Sequence, residues 1–471
     1  MRNFLVVLAT LLAGISAFGL SMIYGNHDVF ARVILAAAFA VWFFVLWKTV
    51  LSDREHFIII CFALFNMFGI ILPGLLQCAD GHYPWFALSY PSDVVFYAAV
   101  ILFIYSCVVP FGYFISYSRL RSRYAPTIRV PSNGFYIGGI FVFFLLTVIG
   151  IYALGSAYFF TSRRETYFLP IFLEKNSPTF SIAITIVRDF GFFGLALLVA
   201  AFADKRIHWA LLIIPAAFAI SGFFLANNPY NVARFNLFSF LIALLPLYFS
   251  TRKQFFKFAF VACYFGGILI AMPLANFMAR GAVGSEITVD FFAIYRTTAD
   301  FDGFQSIMNV ILWVSDQGLR WGHELLSAIL FFVPRDLWEA KAIGTGVAAA
   351  TYMRYPMTNI SSPLPIEFYA DFGLVGMTLL LPFVGAILAW CDIKADRSTT
   401  ARNHLSRLPY AVLAGYVAIL IRGPLLAIIG PAVAAIALSF LIAHVFTKRT
   451  SGRTHKMVLA NAKVLARNGS K

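Results

Sequence analysis

The chain has 471 residues, of which 61% are hydrophobic and only 12% charged, with a formal net charge of +15. Soluble globular domains carry about 25% charged residues, so this composition excludes an assembly of such domains. The apolar residues fall in runs of roughly 20 without strict alternation, which excludes a membrane β-barrel and suits helices crossing a hydrocarbon core about 30 Å thick.

In chain order, the first apolar run, residues 4–24, follows Arg2 and reads as a retained signal anchor. Further spans are predicted at residues 30–50, 57–77, 94–116, 134–154, 180–202, 209–226, 235–250, 258–277, 373–393, 408–423 and 425–446, twelve crossings in all. With the amino terminus inside, segments 51–56, 117–133, 203–208, 251–257, 394–407 and the tail from Thr447 are cytoplasmic. Those segments hold the basic clusters, such as Arg119, Arg121, Arg123 and Arg129. The positive charge therefore reflects orientation in a bacterial inner membrane and contact with anionic lipid, with both termini cytoplasmic and no nucleic-acid partner.

The fold class expected is an all-α polytopic membrane protein. Residues 1–277 hold nine spans and the outer loop 155–179; residues 278–372 form a large periplasmic loop; residues 373–446 hold three spans; and residues 447–471 form a basic tail. Within the large loop, Ile307–Val314 and Leu325–Val333 are apolar but too short to cross, which predicts interfacial or re-entrant helices. No internal repeat is visible. Four of the five cysteines fall in predicted spans and Cys78 stands on an outer loop, so neither a disulfide framework nor a zinc spacing is present.

With Arg2 and Lys48 counted on the cytoplasmic side, the remaining Lys and Arg residues are all arginine except Lys175 and Lys341. Guanidinium binds phosphate or carboxylate through two parallel hydrogen bonds, so the bias points to an anionic group held on the outer side. Arg163, Arg164, Arg234, Arg280, Arg296, Arg335 and Arg354 are the candidates, with Lys341 beside them. Arg188, Asp189 and Arg422 fall within spans and are expected to face inward. Each outer arginine could equally pair with a neighbouring acid or contact lipid headgroups.

The order Phe332-Val333-Pro334-Arg335-Asp336-Leu337-Trp338-Glu339-Ala340-Lys341, then Gly344, Ser361 and Ser362, then Glu367-Phe368-Tyr369-Ala370-Asp371-Phe372-Gly373 resembles the Wzy-type O-antigen and oligosaccharide repeat-unit polymerases. The span count and the single long outer loop late in the chain are similar too. Many members of that family carry a proline where this chain has Ala342. The resemblance implies a GT-C-like bundle whose site transfers a glycan from polyprenyl pyrophosphate to another lipid-linked repeat unit on the periplasmic face. It also implies no cofactor or metal, and a chain-length regulator and a flippase as working partners.

Such a displacement builds negative charge on the departing pyrophosphate, which needs a cation, for which Arg163, Arg164, Arg280 and Arg335 are expected, then Arg296. The acceptor hydroxyl needs a base or orienting acceptor, for which Asp300, Asp302, His323 and Glu367 are candidates. Arg188, Arg234, Lys341, Arg354, Tyr369 and Arg422 are expected to bind substrate. Asp300-Phe301-Asp302 also spells the Asp-X-Asp pattern that sugar-nucleotide transferases use for metal, a match that arises readily by chance. His323-Glu324 reads either as a catalytic pair or as the cap of an interfacial helix, and Trp338, Tyr352 and Tyr369 either as sugar platforms or as interfacial aromatics. A ligase acting on the same lipid carrier and a flippase or polysaccharide exporter are the alternatives. The last requires charges at mid-span.

Overall fold

The computed structural model describes residues 28–86, 89–120, 129–161, 178–205, 207–267, 295–296, 298–400, 404–445 and 447–449. The predicted anchor 4–24, Arg163, Arg164, Arg280 and most of the basic tail lie outside the described residues. Among the described residues, nine helices are long and apolar enough to cross a membrane. All nine fall on predicted spans. Of the remaining three, 235–250 is a shorter apolar helix, Arg234–Tyr248, and 258–277 is described only as the helix Gln254–Gly266 and the residue after it. The chain is a multi-pass helical membrane protein.

The structure divides into two compact units. The first comprises residues 1–123, 250–393 and 413–433, and the second 124–249, 394–412 and 434–471.

In the first unit, α1 (Val29–Val50), α2 (Phe57–Asp80) and α3 (Ser92–Leu120) pack together. The middle helix α2 is buried along nearly its whole length and carries a π-helical stretch at Asn66–Ile71. Pro73 follows just beyond Leu72. A proline cannot donate to the carbonyl four residues back, and the wider turn accommodates that loss. Helix α2 continues through Cys78, which is fully buried rather than on the loop where the span prediction left it.

Helices α4 (Asn133–Leu154), α5 (Ser156–Phe160), α6 (Pro178–Asp204), α7 (Ile213–Ala226) and α8 (Arg234–Tyr248) belong to the second unit. Helix α6 packs on α4, α7 and α8, and a Cβ at Gly191 would stand 2.7 Å from the Gly222 carbonyl oxygen. Small residues at such a crossing let backbones approach closely in a membrane. Strands Arg129–Pro131 and Thr447–Arg449 pair antiparallel in the same unit.

The first unit resumes with α9 (Gln254–Gly266), α10 (Gly303–Gln317), α11 (His323–Ile329) and α12 (Thr345–Tyr352). The first apolar patch of the large loop, Ile307–Val314, is thus helical throughout, and the second, Leu325–Val333, as far as Ile329. Helix α10 is buried against α2, α3 and α12. Helix α13 (Leu364–Thr400) follows, broken at Gly373, whose φ of 65° and ψ of −169° are non-helical. That break coincides with the start of the predicted span, while the helix itself begins nine residues earlier, at Leu364. Gly112 of α3 and Gly385 of α13 seal the α3–α13 crossing, since a Cβ at either would overlap the other helix's backbone. Asp392 of α13 accepts the N–H groups of Ile58 and Ile59 and the Tyr113 hydroxyl, capping the start of α2. Helices α14 (Leu408–Arg422) and α15 (Leu425–Val445) follow.

Candidate functional site

The first unit gathers its chemistry around the tight turn Gly318-Leu319-Arg320-Trp321-Gly322 that leads into α11. Gly318, Trp321 and Gly322 all have positive φ, at 77°, 53° and 86°. Such a turn needs anchoring, and the first stretch of α13 supplies it. Arg320 and Trp321 donate their backbone N–H groups to the carbonyls of Ala370 and Asp371, each at 2.9 Å. The Asp371 carboxylate then accepts the N–H groups of Glu324 and Leu325 at 3.0 and 2.7 Å. It therefore caps α11 from a distant part of the sequence, while neither His323 nor Glu324 does so.

The other end of α11 is held as firmly. Lys341 sends its ammonium to the carbonyls of Leu330, Phe331 and Val333 at 3.0, 2.9 and 2.8 Å, groups left over where the helix stops. Arg335 donates to the carbonyls of Lys341 and Ala342 at 2.8 and 2.5 Å, and Ala342 N–H donates to the Ser327 hydroxyl. Burial and the nearby Arg335 charge lower the pKa of Lys341. The Pro-Arg to Lys stretch thus forms a self-bonded loop behind α11, with donors of both cations directed at backbone.

What α11 presents is Glu324. Its side chain is 3% exposed, and its Oε2 has no hydrogen-bond partner. Burial, followed by the charges of Glu367 and Asp371, pushes its carboxyl up to about 7, while Arg320 pulls it down. Arg320 is thus felt electrostatically without pairing. Its guanidinium lies over the Trp313 ring at 5.7 Å, and its buried Nε has no partner. The His323 ring meets Trp338 edge-on at 5.9 Å, and its buried Nδ1 also lacks a partner. Glu367 is committed elsewhere, accepting the Thr345 hydroxyl at 2.8 Å and the Leu425 N–H at 3.2 Å.

A basic group, an imidazole and a carboxyl near neutrality, each with a polar atom unused, stand on one turn and the helix that follows it. A carboxyl poised near pH 7 suits proton removal from a hydroxyl.

A second polar cluster in this unit centres on Asp302, which is fully buried. It accepts the Trp85 indole N–H at 2.8 Å, the Ser361 N–H at 3.1 Å and the Ser361 hydroxyl, and it pairs with Arg422 at 3.3 Å. Arg422 also donates to the Ala299 carbonyl. Beside it, Gln305 and Asn309 of α10 bond to Tyr90 and Tyr355. The cluster fastens Trp85 and Tyr90 to the large loop. With both Asp302 oxygens engaged, its place is that of an anchor; Asp300 is half-buried on the adjoining turn. Among the described residues, no group of three or more His, Cys, Asp and Glu side chains is placed to hold a metal ion.

Of the other expected residues in this unit, Arg296 pairs with Asp80 at 2.8 Å, and Tyr369 packs edge-on against Tyr97 at 5.8 Å. Tyr352 donates to Asp316 at 2.7 Å. Arg354 is exposed at a φ of 54°. In the second unit, Arg188 and Asp189 are both buried. Arg188 donates to Asn231 at 2.5 Å, and Asn231 bonds onward to the carbonyls of Tyr158 and Thr161. Arg234 opens α8. Three of the expected arginines of the first unit thus have separate partners: Asp80 for Arg296, backbone for Arg335 and Asp302 for Arg422.

The sequence places Arg320, Glu324 and Asp371 among the charged residues of the large loop without giving Arg320 or Asp371 a role, and it does not single out Trp321. The signal that could have found them is the Gly318–Gly322 spacing, which marks a turn of positive-φ residues. The chain matches no family model, no curated protein and no solved structure.

Proposed function

We propose that this protein polymerises polyprenyl-pyrophosphate-linked oligosaccharide repeat units into a surface polysaccharide, acting on the periplasmic face of a bacterial inner membrane. The observation that carries the reading is the pairing of Glu324, a carboxyl near neutrality with a free oxygen, with Arg320, a guanidinium close enough to be felt but not bonded to it. The resemblance of the Phe332–Gly373 stretch to Wzy-type polymerases is the second support. In this reading the bundle has about twelve crossings of GT-C type, and the large loop lies outside.

The acceptor hydroxyl gives its proton to the Glu324 carboxylate as its oxygen bonds the anomeric carbon of the donor. The bond from that carbon to the pyrophosphate oxygen breaks, and the departing lipid pyrophosphate takes the electron pair. Arg320 stabilises the charge that grows there, a role that needs a cation whose hydrogen-bonding capacity is not already used. Asp371 and Lys341 act as positioning residues by fixing the two ends of α11.

A strain lacking the gene should make single-repeat glycan in place of a ladder, and Glu324→Gln or Arg320→Ala should do the same at normal protein levels. Full ladders from both variants would overturn the proposal. Long glycan accumulating on the polyprenyl carrier would indicate a ligase instead. Purified protein that extends lipid-linked repeats in detergent, with no sealed vesicle present, would exclude an exporter.

A further inference from the structure

The geometry points to Trp321 as a stacking platform for a sugar ring of the glycan that enters beside Glu324. This inference rests on the glycan-transfer reading and adds a ligand contact to the same site.

Trp321 is 80% exposed and stands on the turn before α11 rather than on a membrane-length helix. It is also held in left-handed backbone, φ 53°, where a bulky residue is strained. Glycine would relieve that strain, and this turn uses glycine at Gly318 and Gly322, yet not at the position between them that displays the ring. The backbone has no freedom to retract it. Trp321 N–H bonds the Asp371 carbonyl at 2.9 Å, Arg320 N–H the Ala370 carbonyl, and His323 N–H the Arg320 carbonyl. Gly322 sits against Phe372, where a Cβ would come within 3.0 Å of the ring.

The ring is therefore presented rigidly, three residues before the carboxyl with the unused oxygen. A preordered aromatic face offers broad apolar contact at little entropic cost, which suits the C–H faces of a pyranose. An interfacial belt tryptophan on a regular helix would gain its contact with headgroups without backbone strain, which favours the sugar as occupant.

Trp321→Gly makes the discriminating variant, because it removes the ring and relieves the left-handed backbone together. Purified protein in lipid nanodiscs would be assayed with lipid-linked repeat units extracted from the deletion strain. The water-soluble repeat oligosaccharide released from those lipids by mild acid would serve as a binding probe. Trp321→Gly should melt no lower than wild type yet raise KM for the acceptor about tenfold with kcat little changed, and Trp321→Phe should recover most of that loss. The fluorescence difference between wild type and Trp321→Phe should shift when the soluble oligosaccharide is added.

Unchanged KM in Trp321→Gly, or an emission that ignores the oligosaccharide but is quenched by brominated-acyl lipid, would make the ring a membrane anchor and overturn the inference. If wild type extends no glycan while its Trp321 emission still responds to the oligosaccharide, polymerisation fails and the sugar platform stands.

Discussion

Asp371 and Glu324, far apart in sequence, are joined by the hydrogen bond from the Glu324 backbone N–H to the Asp371 carboxylate at 3.0 Å. The same carboxylate places negative charge near the Glu324 side chain, so one residue both caps α11 and raises the pKa of the group that α11 presents. Removing it should have two separable effects. Asp371→Ala leaves two N–H donors at the helix start without their acceptor and should cost about 1–3 kcal/mol, read as a lower melting temperature. Asp371→Asn keeps one acceptor oxygen and loses the charge. With one N–H left facing its amide NH2, it should melt between wild type and Asp371→Ala while moving the acid limb of the pH–rate profile to lower pH.

That limb is set by Glu324 itself. With its carboxyl at about 7, the proton-accepting form is scarce at pH 5 and dominant at pH 8, so glycan extension should rise through neutrality and level off above it. Glu324→Gln should be inactive at every pH. A rate independent of pH between 5 and 8 in the wild type would remove Glu324 as the base.

The same shift has a stability consequence of opposite sense. The folded carboxyl titrates at about 7 and the ordinary value is 4.5, so between those values the folded state holds a proton that the unfolded state has lost. Stability from this group is complete below pH 4.5 and declines as pH rises through 7. Glu324→Gln lacks that loss. At pH 8 it should be the more stable protein by an amount on the order of 3 kcal/mol, measured by thermal or denaturant unfolding in detergent.

Much of this architecture is legible in the sequence because hydrocarbon thickness and helix rise fix the span length, and all nine membrane-length helices of the described residues fall where apolar runs of that length occur. The helices of the large loop are legible too, since Ile307–Val314 and Leu325–Val333 are apolar and short. The assignment of charged residues was not, because a guanidinium that binds phosphate and one that binds carbonyls look alike in one dimension. Arg335 is taken up by Lys341 and Ala342, and Arg296 by Asp80, through partners that only folding brings near. Glu324 was legible as a titratable group beside His323, but its raised pKa depends on burial and on the charges of Glu367 and Asp371, which only folding brings near.

The Asp302–Arg422 pair ties the large loop to the end of α14, and Asp302 is fully buried. Asp302→Ala would leave Arg422 without its carboxylate and Trp85 and Ser361 without their acceptor. Truncating one partner of a buried pair costs about 3–5 kcal/mol, so this variant should be depleted from the membrane fraction. Asp302→Asn, which keeps two polar positions, should accumulate to an intermediate level. Equal abundance of wild type and Asp302→Ala on a quantitative blot would contradict the anchoring role.

Arg335 and Arg320 separate structure from chemistry most sharply, since both were plausible phosphate ligands and only one has its donors fixed on the protein. Arg335→Ala releases the carbonyls of Lys341 and Ala342, and with them the loop behind α11. It should lower the melting temperature and speed proteolysis or amide exchange across residues 330–343, with activity falling as a consequence. Arg320→Ala removes a guanidinium that lies over the Trp313 face and should leave melting within about 1 kcal/mol of wild type. Its rate of glycan extension should nonetheless fall by about 100-fold, as expected when a cation that meets transition-state charge is lost. The opposite pattern, a stable and inactive Arg335→Ala beside an active Arg320→Ala, would return the leaving-group role to Arg335 and require its loop to open when substrate binds.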